Sequence, residues 1–136
     1  MPGREDAFQK YMNDGHSAAW DQRWEKAAVS YRAALQEIPD QPKALNNLGL
    51  ALYQLSRFSE ALDIYKRVAQ LSPEDPISME RIAQLCERLG DLKSAVDAAM
   101  RAADLYIKQR EVEKAIENWV RVTTLNPDHV MAHSRL

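Results

Sequence analysis

Two histidines, His129 and His133, stand four residues apart in a chain of 136 residues. On a helix that spacing puts both imidazoles on one face, the arrangement of a weak two-ligand metal site. Two ligands alone do not close a coordination shell, so surface histidines are the expected reading and no metal is assigned. Cys86 is the single cysteine, with no histidine near it in sequence to draw off its proton. A buried structural thiol is expected there, not a nucleophile. The acids Glu74, Asp75, Asp91 and Glu113 fall at turns and helix starts, where a carboxylate complements the helix dipole. Nothing in their spacing pairs two of them for acid–base work. The four glycines are isolated from one another, so no phosphate-cradling loop is present. No catalytic residue and no cofactor follow from these groups, and the chain is expected to be non-enzymatic.

Composition narrows the classes further. One cysteine excludes a disulfide framework. A net charge of −2 provides no general attraction to nucleic acid or to anionic lipid. No apolar run approaches the ~18–20 residues that cross a bilayer. The opening residues MPGREDAFQK lack the apolar core of a secretory signal, so a cytoplasmic location is expected.

The strongest pattern is a repeat. Gly15 and Gly49, Ala27 and Ala61, Tyr31 and Tyr65, Pro39 and Pro73, and Pro42 and Pro76 are each 34 residues apart, and Ala95 continues the alanine series. Within one period Leu45, Leu48, Leu52 and Leu55 form an apolar stripe at steps of three and four. A second stripe runs through Phe58, Ala61, Leu62, Tyr65, Val68 and Leu71. Ser56–Arg57 separates them, and Pro42 suits a first helical turn, where its missing N–H has no partner to lose. Each period therefore predicts two helices of about 14 residues joined by a tight turn. The glycines are expected where two helix backbones approach, facing Ala27, Ala61 and Ala95, with Tyr31 and Tyr65 filling the wider gap alongside.

This pattern resembles the tetratricopeptide repeats, whose signature is W-x-x-L-G-x-x-Y, then A-x-x-x-F, then P. The second unit carries it as Leu45, Leu48, Gly49, Leu52, Ala61, Tyr65 and Pro73. The first reads Tyr11, Asp14, Gly15, Ala18, Ala27, Tyr31 and Pro39. The third reads Met79, Ile82, Ala83, Cys86, Ala95 and Ala99, without the proline. The resemblance implies an all-α fold, a right-handed superhelix of antiparallel helix hairpins with about seven helices and a C-terminal stub. One domain is expected over residues 1–136, with repeats at about 8–41, 42–75, 76–109 and 110–127 and the truncated start of another at 128–136.

The fourth unit breaks register. Ala115 follows Ala95 by only 20 residues, and Ala115, Trp119, Val122 and Pro127 match the second half of the motif. Its first half is then Ala99, Ala102, Ala103 and Tyr106, which already belong to the second helix of the third unit. A single helix over about 92–108 is expected to serve both units, and a regular superhelix is expected to bend or end there.

In the resembled family the first helix of each repeat lines a concave groove that takes a peptide. The corresponding residues are Met12, His16 and Trp20 in the first unit. In the second they are Lys43, Asn46, Asn47, Leu50, Tyr53 and Gln54, and in the third Ile77, Glu80, Arg81, Gln84 and Arg88. These predict a scaffold that binds a protein or peptide segment of mixed polarity with an apolar anchor. Family members that clamp the C-terminal carboxylate of chaperones use charged and amide groups at columns that hold Met12, His16, Asn47, Ile77 and Arg81 here. Both lysines of that clamp are missing, so such tails are not the expected ligand. Two alternatives stand beside the groove: a homo-oligomer stacking through the C-terminal end, or a regulatory segment of a larger protein.

Overall fold

The computed structural model describes residues 2–136. Eight helices follow in order: α1 (Pro2–Trp20), α2 (Trp24–Glu37), α3 (Pro42–Gln54), α4 (Phe58–Leu71), α5 (Pro76–Arg88), α6 (Leu92–Lys108), α7 (Val112–Leu125) and α8 (Val130–Arg135). No strand occurs among the described residues. The fold is all-α, seven full helices and a six-residue stub. Helix α1 begins earlier than the repeat pattern predicts. Residues 2–7, outside the motif, continue the same helix.

The helix ends follow from local chemistry. The Gln41 side chain accepts from Lys43 N at 2.8 Å and Ala44 N at 3.2 Å to cap α3. Asp75 caps α5 by accepting from Ile77 N at 3.0 Å, and Asp91 caps α6 by accepting from Ser94 N at 3.2 Å. Each satisfies a backbone donor that the helix leaves unpaired, a contribution of about 1 kcal/mol per cap. The expected role of these acids at helix starts therefore holds at Asp75 and Asp91.

The tight turns repeat one construction. Arg23 N donates to Ala18 O, Arg57 N to Leu52 O, and Asp91 N to Cys86 O, at 2.8, 2.9 and 2.9 Å. The residue before each donor has a positive φ: Gln22 at 59°, Ser56 at 60° and Gly90 at 82°. This is the left-handed helix stop in which a six-to-one bond takes up an orphan carbonyl, and it recurs at the 34-residue period. It occurs once more with Glu111 N donating to Tyr106 O at 2.8 Å behind Arg110 at φ 61°. Helix α6 runs unbroken from Leu92 to Lys108. It starts directly after one such turn and stops at the next, so it follows α5 as a second helix and precedes α7 as a first one.

The chain divides into two compact units between Leu71 and Ser72. In the first, α1 packs on α2, α2 on α3 and α3 on α4. Leu48, Leu52, Ala61 and Val68 are almost fully buried in it, each large apolar side chain worth about 1.5–3 kcal/mol of transfer free energy. A Cβ built on Gly15 would sit 2.5 Å from the Tyr31 ring, and one on Gly49 2.7 Å from the Tyr65 ring. The glycines thus make room for tyrosine rings, which corrects the expectation that they meet the alanines. Ala27 and Ala61 are themselves fully buried, but the contact that needs a bare backbone is aromatic. Exposed ion pairs join parts of this unit, Arg57 with Glu25 at 2.9 Å and Arg32 with Glu60 at 3.7 Å.

In the second unit, α6 packs on both α5 and α7, and α8 rests on α7. The glycine column holds Ala83, and the tyrosine column holds Ala99; both are fully buried. Two small residues stand in the columns that hold a glycine and a ring in the first unit. Around α7, Trp119 clusters with Ala103, Tyr106 and Ala115, and Met100 packs on the edge.

Candidate functional site

Four of the predicted groove residues come together in the second unit. Ile77, Glu80, Arg81 and Gln84 recur on α5 at steps of three and four, hence on one face. That face borders a cleft of ≈ 580 Å³ whose other walls include Asp75, Tyr106, Gln109, Glu111 and Lys114. Ile77 at its rim is 54% exposed, an aliphatic side chain held out to solvent. The Arg81 guanidinium donates to Gln84 Oε1 at 3.3 Å. Gln109 Nε2 donates to Glu74 O at 2.8 Å, which ties the end of α6 to the loop before α5.

Glu80 is the junction of this cleft. The Tyr106 hydroxyl donates to its Oε1 in a short hydrogen bond. Asn118 Nδ2 donates to its Oε2 at 3.1 Å and to Lys114 O at 2.9 Å. One carboxylate of α5 thereby holds α6 and α7. Burial, together with the bond to Glu80 and the negative charges of Glu111 and Asp75, raises the Tyr106 phenol above its ordinary range. Asn118 is only 1% exposed, and its Oδ1 has no hydrogen-bond partner. Neighbouring Arg121 pairs with Glu87 at 3.1 Å.

The groove residues of the first unit divide. Trp20 is 89% exposed at the end of α1 and does not fold back over the helix end. On α3, Lys43, Leu50 and Gln54 are exposed, while Asn46, Asn47 and Tyr53 are half-buried. Tyr53 meets the Phe58 ring edge-on at 5.4 Å between centroids. His16 is exposed, and its Nδ1 shares a 2.8 Å hydrogen bond with the Tyr31 hydroxyl. Met12 is 2% exposed. It belongs to the core and is withdrawn from the groove, because its position on α1 turns it inward with Ala18. On α5 Arg88 is exposed.

Residues 15–76 match the tetratricopeptide repeat family model. Over those residues, a little under half of its length, the chain is similar to that family. Anaphase-promoting complex subunit 3 of Schizosaccharomyces pombe is 23% identical over 137 residues, covering 90% of this chain and 21% of that protein. A type III secretion complex from Aeromonas hydrophila superposes with a TM-score of 0.80 at 19% identity, over 93% of this chain and 85% of the other. PcrH in complex with the chaperone binding region of PopD superposes with a TM-score of 0.79 at 19% identity, over 90% and 93%. These structures share the fold. The chain spans about a fifth of the length of the curated relatives it matches.

Within this helical fold the other residues singled out by type have ordinary places. Cys86 is buried, as its column implies. His129 Nδ1 accepts from Ala132 N at 3.2 Å and caps α8, and His133 Nε2 contacts Pro127 O, so the two imidazoles serve the local backbone. No helix of the described residues is long and apolar enough to cross a membrane. The repeat pattern identifies Tyr106 only as a packing residue and does not single out Asn118. The signal for Asn118 was present: an amide next to Trp119 and three residues from Ala115 and Lys114's neighbouring stripe, in the column of Ser30 and Ile64.

Proposed function

We propose that the chain is a non-enzymatic interaction scaffold that binds a protein or peptide segment on the first-helix faces of its repeats. The observation that carries this reading is the convergence of Ile77, Glu80, Arg81 and Gln84 on one cleft. The family resemblance had placed those residues on the expected ligand face. A cleft with an exposed aliphatic rim and fixed polar groups is the kind of surface on which a few anchor side chains supply most of the binding energy. Hydrogen-bonded helices hold that surface ready, so little ordering entropy falls on the scaffold when a segment binds. The PcrH complex, in which a tetratricopeptide-like fold holds the chaperone binding region of PopD, supports the same mode of use. Trp20, Leu50 and Tyr53 supply the corresponding contacts on the first unit.

Affinity capture with the whole chain tests this. Partners recovered by the wild type and by Lys66→Ala on α4 are expected to be lost from Ile77→Asp/Arg81→Ala and reduced with Leu50→Asp/Tyr53→Ala, all at unchanged melting temperature. Equal recovery by every variant contradicts the reading.

A second reading has its own observation. Val130, Met131 and Leu136 are 78%, 53% and 56% exposed at the C-terminal stub, an apolar surface suited to stacking on a second copy. Light scattering decides it: a mass that doubles with concentration and stays monomeric in Val130→Glu/Met131→Glu supports self-association, and a concentration-independent monomer mass removes it.

A further inference from the structure

The Glu80 carboxylate, which lines the second-unit cleft, has more acceptor sites than it has donors. An ionised carboxylate offers about four acceptor sites. Glu80 receives one donor on each oxygen, from the Tyr106 hydroxyl and the Asn118 amide, and both donors are neutral. Among the described residues no lysine or arginine lies within ion-pair distance of Glu80, whereas Glu25, Asp40 and Glu87 each have an arginine. Half-burying a carboxylate without a counter-charge is unfavourable, and two neutral hydrogen bonds offset only part of the lost hydration. Those bonds do fix the carboxylate in one orientation from two other helices, so it is preorganised for whatever cation it meets.

We infer that this cleft seats one cationic side chain, an arginine or lysine of the bound segment, with Glu80 as its counter-ion. The inference rests on the groove reading and names the ligand chemistry of that groove in the second unit. A guanidinium or ammonium brings several donors and no acceptor, which is the complement of this cluster. Asp75 and Glu111 add to the negative potential, as the raised Tyr106 phenol records after the larger effect of its burial. The exposed Ile77 side chain at the rim suits an apolar neighbour of that cation. Arg81 and Lys114 also line the cleft. They disfavour a second cation and favour a single basic residue over a polybasic run.

The test is a two-dimensional NMR titration of the full chain with three blocked probe peptides. They are acetyl-Ala-Leu-Arg-Ala-amide, its citrulline analogue, which is neutral and nearly isosteric, and its glutamate analogue. The arginine peptide is expected to shift the amides around Glu80, Tyr106 and Asn118 in a saturable way. It is expected to bind roughly tenfold more tightly than the citrulline peptide, the scale of one charge-assisted hydrogen bond, and the preference is expected to shrink with added salt. Glu80→Gln is expected to bring the two affinities together. Equal binding of the arginine and citrulline peptides to the wild type overturns the cation seat while leaving the groove reading intact. No cleft shift with any peptide overturns both for this unit. Retention of the preference in Glu80→Gln also overturns it, because the selectivity then comes from another group. The wild-type comparison needs no variant, so a poorly folded Glu80→Gln does not blunt the test.

Discussion

The two units solve one packing problem in opposite ways. In the first, Gly15 and Gly49 give up side chains so that the Tyr31 and Tyr65 rings lie against bare backbone. In the second, Ala83 and Ala99 fill the same two columns with small groups, both fully buried. The difference teaches that the columns are filled hairpin by hairpin: glycine with a tyrosine ring in α1–α2 and α3–α4, alanine with alanine in α5–α6, and Ala103 with the Trp119 ring in α6–α7. Polar chemistry follows the same division. In the first unit a tyrosine hydroxyl meets exposed His16, whereas in the second a tyrosine and an asparagine converge on Glu80, which lines a cleft.

The largest expected effect sharpens this contrast at α7, where a tryptophan takes the ring column. Trp119→Ala empties a buried site bordered by Ala103, Tyr106 and Ala115, of which the Tyr106 hydroxyl is tied to Glu80. A loss of about 3–5 kcal/mol is expected by chemical denaturation. A loss below about 1 kcal/mol would place the ring outside the core. Tyr106→Phe comes next. It removes a donor from a half-buried carboxylate, so a loss of about 1–3 kcal/mol is expected, with larger amide shifts at Asn118 than anywhere in the first unit.

Alkaline titration gives a smaller signal. Burial raises the Tyr31 phenol, and burial with the Glu80 bond raises Tyr106. A phenol raised in the folded state contributes its full stability below the unfolded value of about 10 and loses it as pH climbs above that value. Phenolate absorbance is therefore expected to rise in two stages, with the buried tyrosines ionising only as the chain unfolds. A single stage at about pH 10 would contradict their burial. The smallest effect concerns the exposed Asp40–Arg67 pair. The hydrogen bond from Arg67 holds the Asp40 carboxyl below its usual range. Its contribution is present above the unfolded value of about 3.9 and disappears as pH falls through the lower folded value. Arg67→Met is expected to lower the melting temperature slightly at neutral pH and not at all in strong acid.

The sequence made much of this legible because helical periodicity and the 34-residue spacing report directly on which residues face inward. Leu45, Leu48 and Leu52 are buried where the stripe puts them, and α6 runs through residues 98–103 without a break. The glycine contact was misassigned because spacing locates a small residue without saying what fills the space beside it. Met12 falls by helical spacing on the face opposite the core stripe, yet it is buried, because spacing along one helix does not report which other helix covers that face. The Glu80 cluster was half legible. Its carboxylate lay on the face expected to meet a ligand, but its partners come from 26 and 38 residues away on two other helices, and one-dimensional spacing cannot pair them.

The coupling between the glycine and ring columns is tested most directly by a double-mutant cycle at Gly49 and Tyr65. Gly49→Ala alone puts a Cβ 2.7 Å from the ring, and overpacking of about 1–3 kcal/mol is expected to outweigh the ~1 kcal/mol gain in helix propensity. In a Tyr65→Ala background, which copies the alanine pair of the second unit, the same substitution is expected to stabilise the chain. An equal change in both backgrounds would show that the columns are independent and would contradict this account of how the repeats pack.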